Sequence, residues 1–384
     1  MNFLGERPPR DSGYQRPLCY ARPRPKGAPI VFSSLSFKRG PDMPNRFMLA
    51  PLTNSQSHED GVLSDAEHRW LSMRAEGGFG LTMTCAAHVI DWGKGFPGQL
   101  GCFSDAQNKG LRRLAQSINQ AGSVSSVQLY HGGIRCPEAI TGCTPQSASD
   151  DADSGATAMT DETVHEVIEA FVSAAERAEA AGFHGVELHG AHGYLICQFL
   201  SPETNRRDDG WGGSLERRSR FLMSIIDGIR LRTGPNFQLG LRLSPERFGI
   251  ELEEAKTLYS ELIHQNQLEY IDMSLWDVFK APADGSTEQS LLQIFSSIPR
   301  GDTRLGVAGK ISTPDDVASC LDAGVDFVAL GRAAILHHDY PRQVAGDAGF
   351  RPAELPVSAD HLRTEGLSDT FVNYMRNWKG FVAD

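Results

Sequence analysis

Residues 185–218, "GVELHGAHGYLICQFLSPETNRRDDGWGGSLERR", set a short apolar run directly against a long polar loop. Gly185 to Leu188 read as a buried strand, after which His189, His192 and Tyr194 arrive within six positions. All three side chains give or take protons, chemistry that a merely structural strand end does not need.

Working outward, seven further apolar runs resemble that strand: "RFMLAPL", "GLTMTCAAHV", "SSVQLYHGG", "QLGLRLS", "YIDMSLW", "RLGVAG" and "FVALGR". Between them lie amphipathic stretches such as "DETVHEVIEAFVSAAERAEAAG", "ERRSRFLMSIIDGIRLRTG", "LEEAKTLYSELIHQNQ" and "TPDDVASCLDAG", several closed by glycine. Eight alternations predict an α/β protein built as a (β/α)8 TIM barrel, a fold that takes about 250 residues or more. The alternative, an open doubly wound sheet, lacks its glycine-rich fingerprint, because "LAPLTNSQ" after the first strand contains no GxGxxG. The domain organisation expected is a flexible arm over 1–36, the barrel over 37–345, and a tail over 346–384 that packs on the barrel or on a partner subunit.

Composition narrows the function classes. The chain has 384 residues, 40% hydrophobic and 22% charged, which suits an ordinary globular protein. A formal net charge of -11 gives no general attraction to nucleic acid or anionic membranes. No run of about 18 apolar residues opens or interrupts the chain, so neither a membrane span nor a signal peptide is expected. Seven scattered cysteines with no CxxC pair fit reduced thiols and a cytoplasmic location. The arm "RPPRDSGYQRPLCYARPRPKG" is rich in proline and arginine; a transit peptide is the alternative reading, opposed by prolines that break amphipathic helices.

In a barrel of this type the active site sits at the C-terminal ends of the strands. The polar candidates there are Pro51, Thr53 and Asn54 after the first strand, and Gln128, Tyr130 and His131 after the third. His189, His192 and Tyr194 follow the fourth, Arg242 lies at the end of the fifth, and Trp276 comes just past the sixth. Gly309, Gly331 and Arg332, after the seventh and eighth, match a phosphate-binding corner where glycines expose backbone N–H groups and an arginine adds charge.

These segments, "NRFMLAPLTN", "VQLYHGG", "HGAHGYLICQFLSPETNRRDDGWGGSLERRSRF" and "ALGRAAI", resemble the Old Yellow Enzyme family of FMN-dependent ene-reductases, from about Phe37 to Pro341. The resemblance implies one non-covalent FMN, reduced by NADH or NADPH and reoxidised by an electron-poor alkene. It places Pro51 and Thr53 near flavin N5 and O4, with Ala86 ending the second strand beside the ring. Gln128 falls on the pyrimidine edge, Arg242 near N1, and Gly309, Gly331 and Arg332 on the phosphate. It implies that His189 and His192 hold a carbonyl or nitro oxygen while Tyr194 donates a proton to the α-carbon. Trp276 either lines the substrate pocket or covers the barrel mouth. Many members carry asparagine where His192 stands, and cysteine where Thr53 stands. Larger relatives add an iron–sulfur cluster, but no cysteine follows Cys320, so no cluster is expected here. A flavin-dependent amine dehydrogenase or demethylase on the same barrel is the competing activity.

Metal binding is disfavoured, since two imidazoles lack a third ligand and HExxH does not occur. Arg206, Arg207, Arg217 and Arg218 are expected to pair with Asp208, Asp209 and Glu216, and Ser214 to cap the following helix with Trp211 packed beneath. His337 and His338 read as a solvated helix face.

Overall fold

The computed structural model describes residues 30–347 and 349–383. Its core is a closed barrel of eight parallel strands: β1 (Phe47–Leu49), β2 (Leu81–His88), β3 (Val124–Tyr130), β4 (Gly185–Gly190), β5 (Gln238–Leu243), β6 (Tyr270–Ser274), β7 (Arg304–Ala308) and β8 (Phe327–Leu330). Each strand pairs with its sequence neighbours, and β8 closes on β1 through Phe47–Val328, Met48–Ala329 and Leu49–Leu330. All eight predicted strands are present, and the expected TIM barrel is the observed fold.

Alternation of side chains along the strands creates two separate apolar cores. Outward residues such as Val186, Leu188, Leu239, Leu241, Ile271 and Met273 join the helices in one large cluster. Inward residues Met48, Ala50, Leu81, Met83, Ala308, Phe327 and Ala329 form a second cluster inside the barrel. Leu35 and Met43, paired by two backbone hydrogen bonds of 2.9 Å, belong to that inner cluster and plug its floor. Residues 30–36 therefore do not behave as the flexible arm expected of them: Val31 and Leu35 are buried. The remainder of that arm lies outside the described residues.

The surrounding helices follow their sequence signals. Thr160 caps Asp161–Ala181 by accepting from Thr163 N–H, and Gly182 ends it at φ 95°, a conformation that glycine adopts without steric cost. Val164, Val167, Phe171, Ala174, Ala175 and Ala178 form its buried stripe. Ser214 caps Leu215–Arg232 as expected. Among the described residues no helix is long and apolar enough to cross a membrane.

After the barrel the chain turns back over it. In the helix Asp369–Met375, Phe371 meets Trp70 edge-on at 4.8 Å, and Ser368 N–H donates to Gln56 Oε1 at 3.1 Å. The tail thus packs on its own barrel.

Candidate active site

Strand β4 carries His189 inward and ends at Gly190. His192 and Gly193 then adopt left-handed backbone, φ 61° and 71°, reversing the chain so that Tyr194 begins the helix Leu195–Leu200. A non-glycine residue held there is strained and persists only where its surroundings fix it. Three contacts do so. Ser244 Oγ accepts from His192 N–H at 3.1 Å, Arg135 Nη1 donates to the His192 carbonyl at 2.7 Å, and Gln198 Nε2 donates to the Gly193 carbonyl at 2.7 Å.

The turn brings the three residues of the opening motif together. The His189 ring lies 5.1 Å from His192 at 87° and 5.0 Å from Tyr194 at 67°. Tyr130 packs against Tyr194 at 4.5 Å, and the Arg135 guanidinium lies 5.1 Å from the Tyr194 ring. Burial pushes both imidazoles toward the neutral form: His192 falls to about 3 and His189 well below its ordinary value, with Arg242 and Arg135 adding to the effect. Each neutral ring therefore has one N–H to give.

Ser274 lies between His192 and Arg242. Its hydroxyl oxygen accepts from Arg242 Nη2 at 3.4 Å and lies 2.8 Å from His192 Nε2. If the serine proton points to Nε2, all these groups are satisfied and Nδ1–H of His192 is free to donate. His189 Nδ1 is buried and has no protein partner. An orphaned polar atom of this kind costs stability unless something outside the chain meets it.

The other predicted residues converge on the same mouth. Gln128 is an interior residue of β3 rather than its successor, buried and inward. Ala86 is also interior to β2, which continues to His88 instead of ending there. A register shift between Met83 and Ala86 moves the inward parity by one residue and pairs Ala86 with Gln128. Pro51 and Thr53 are half-buried just past β1. Arg242 on β5 sits beside Asp272 of β6, Nε to Oδ2 3.1 Å. Gly309 follows β7, and Gly331 and Arg332 follow β8. Arg332 is exposed and makes no ion pair among the described residues. Trp276 is 57% exposed at the rim, with the Arg247 guanidinium 4.5 Å from its ring.

Several participants were absent from the sequence reading. Ser274 and Arg135 act through contacts between separate strands and loops, and the tail helix brings the Tyr374 phenol beside Thr53 and within electrostatic reach of Tyr194. Other expectations are corrected. His337 and His338 lie past the helix Arg332–Leu336: His338 Nδ1 is 2.7 Å from Glu365, and His337 Nε2 accepts from Ala353 N–H at 2.8 Å, so both tie the tail down. Of the four loop arginines, Arg207 pairs with Asp209 as expected, whereas Arg218 pairs with Glu254 on the next helix and Arg206 binds backbone carbonyls. Trp211 is buried beneath the loop and donates to Asp161.

Residues 31–348 match the family model described as NADH:flavin oxidoreductase / NADH oxidase. The chain belongs to this family, that of the Old Yellow Enzymes. It is an NAD(P)H-dependent flavin oxidoreductase. Probable NADH-dependent flavin oxidoreductase YqiG of Bacillus subtilis (strain 168) is 37% identical over 335 residues, covering 83% of this chain and 88% of YqiG. An NADH:fumarate oxidoreductase of Klebsiella pneumoniae (strain 342) is 31% identical over 88% of this chain, which spans 38% of that longer protein. Among solved structures, the Old Yellow Enzyme homologue from Zymomonas mobilis superposes with a TM-score of 0.76 at 26% identity, covering 89% of this chain and 99% of the other. Morphinone reductase in complex with tetrahydroNAD gives 0.75 at 26% identity, covering 89% and 97%.

Proposed function

We propose that the protein reduces activated C=C bonds of α,β-unsaturated carbonyl or nitro compounds, taking its electrons from NADH or NADPH. The observation that carries this reading is the convergence of two neutral imidazoles and a phenol at the barrel mouth, His189 lying 5.1 Å ring to ring from His192 and 5.0 Å from Tyr194.

The donor set suits a non-covalent FMN. Gln128 and Arg242 offer an amide and a guanidinium to the pyrimidine edge and N1, while Pro51, Thr53 and Ala86 border the N5 side. Gly309, Gly331 and Arg332 stand where the phosphate would lie, and Arg332 lacks a carboxylate partner among the described residues. When bound, the flavin supplies hydride from N5 to the β-carbon of the alkene.

The chain's own residues do the remaining work. His189 and His192, neutral and preset, direct N–H groups at the carbonyl or nitro oxygen, where charge builds as hydride arrives; such a donor contributes about 10²–10³-fold to rate. Trp276 and Arg247 border the entrance. Tyr194 delivers a proton to the α-carbon, a carbanion-like centre basic enough to take it from a phenol O–H.

Stopped-flow comparison of the two half-reactions tests the assignment. Tyr194→Phe should slow alkene reduction about 10²–10⁴-fold while flavin reduction by NADPH keeps its rate. A loss confined to the NADPH step contradicts the proton-donor role.

A further inference from the structure

Behind Gln128 and Arg242, one layer deeper in the barrel, lie two fully buried carboxyl groups. Glu187 on β4 accepts from Gln128 Nε2 at 2.8 Å, and Asp272 on β6 lies 3.1 Å from Arg242 Nε. Strand register sets this arrangement, since Gln128 pairs with Glu187 and Arg242 with Asp272 in adjacent strands. Arg242 touches Asp272 and acts on Glu187 only through its longer-range charge. Both Asp272 oxygens lack a hydrogen bond of ordinary geometry, and the Tyr270 hydroxyl lies within reach of Glu187 and Ser126.

Among the described residues, Arg242 is the cation that acts on both acids. β3 contributes Gln128 and Ser126, β4 the neutral His189, β5 Arg242, and β6 Tyr270 and Ser274; the opposite wall is Met48, Ala50, Met83, Ala308 and Ala329. With both acids ionised the cluster would bury a net negative charge inside the barrel, which desolvation disfavours. Protonating one of them removes that charge.

Resting on the FMN reading above, we infer that Glu187 and Asp272 together carry one proton and act as a charge-compensating pair behind Gln128 and Arg242. At neutral pH the set Arg242, Glu187 and Asp272 is then electrically neutral. In alkaline solution the pair gives up its proton. When two electrons and a proton arrive at the ring from NAD(P)H or dithionite, the new negative charge near Arg242 opposes a second carboxylate, so the pair recovers a proton from solvent. Reduction then takes up more than one proton in this pH range. Burial and the Asp272 charge both push the Glu187 carboxyl above the ordinary range, in the same direction. The two acids are positioning residues, acting on the ring through Gln128 and Arg242.

The test is the pH dependence of the flavin midpoint potential in the holoenzyme, wild type against Glu187→Gln. Glutamine keeps an oxygen acceptor for Gln128 but cannot titrate. The wild-type potential should fall more steeply with rising pH above neutrality than that of the variant, by up to one additional proton per two electrons. Equal slopes with flavin bound overturn the inference alone; a protein that binds no FMN overturns the functional reading with it. Should the variant fail to fold, reduced-minus-oxidised infrared spectra of the wild type at pH 9 decide. A carboxylic acid C=O band that grows on reduction and shifts in D₂O is the expected result, and its absence is the contrary one.

Discussion

The two walls of the barrel interior solve different problems with the same backbone. Along β7, β8, β1 and the start of β2 the inward residues are Ala308, Phe327, Ala329, Met48, Ala50, Leu81 and Met83, a dry apolar packing. Along β3 to β6 the equivalent positions hold Gln128, Glu187, His189, Arg242 and Asp272, all buried. Dispersion and water exclusion stabilise the first wall. The second forgoes that gain and carries uncompensated polar atoms, the arrangement in which electrostatic groups have their greatest leverage. The comparison teaches that this fold keeps stability and chemistry in adjoining sectors of one core, so substitutions should separate them.

The largest effect expected belongs to the apolar wall. Phe327→Ala should destabilise the protein by about 3–5 kcal/mol in denaturant unfolding, with alkene turnover by the surviving folded fraction little changed. Equal stability would break the comparison. On the polar wall, His189→Ala should cost about 10²–10³-fold in alkene reduction. It should leave the unfolding midpoint nearly constant or raised, because an orphaned buried atom is removed.

Acid should act on the polar side next. His88, His131 and His192 are held down to about 4, 3 and 3 by burial. Unfolded, each returns to an ordinary value near 6.5, so below that pH the unfolded chain binds more protons. Stability is therefore complete above about 6.5 and is lost as pH falls toward about 4 and 3. Urea midpoints between pH 7 and 5 check this; a flat profile contradicts neutral burial. The smallest effect is expected from Ser274→Ala, which frees the His192 tautomer and should weaken binding of a phenolic ligand by about 1 kcal/mol, read from flavin absorbance titration.

Much of this was legible in the sequence because parallel barrel strands are short apolar runs separated by capped helices. "GVELHGA" shows its inward positions by alternation, and the spacing of His189, His192 and Tyr194 survives folding because the turn between them is local. Contacts that close over long separations were not legible. Nothing in "LTMTCAAH" announces the register shift that turns Ala86 inward, and Gln56 and Ser368 meet across 312 residues. The same holds for Glu187 and Asp272: each reads as a polar residue in a strand, and only strand pairing sets Glu187 against Gln128 and Asp272 against Arg242. His337 and His338 looked like a solvated face because their partners, Ala353 and Glu365, belong to a tail whose docking no local pattern encodes.

The most direct test of the account is an anaerobic absorbance spectrum of the purified protein, recorded alone, after NADPH, and after cyclohexenone. A flavin spectrum that bleaches with NADPH and returns with the enone is the expected result. A protein that stays colourless after reconstitution with FMN, or a reduced flavin that the enone leaves bleached, would contradict it.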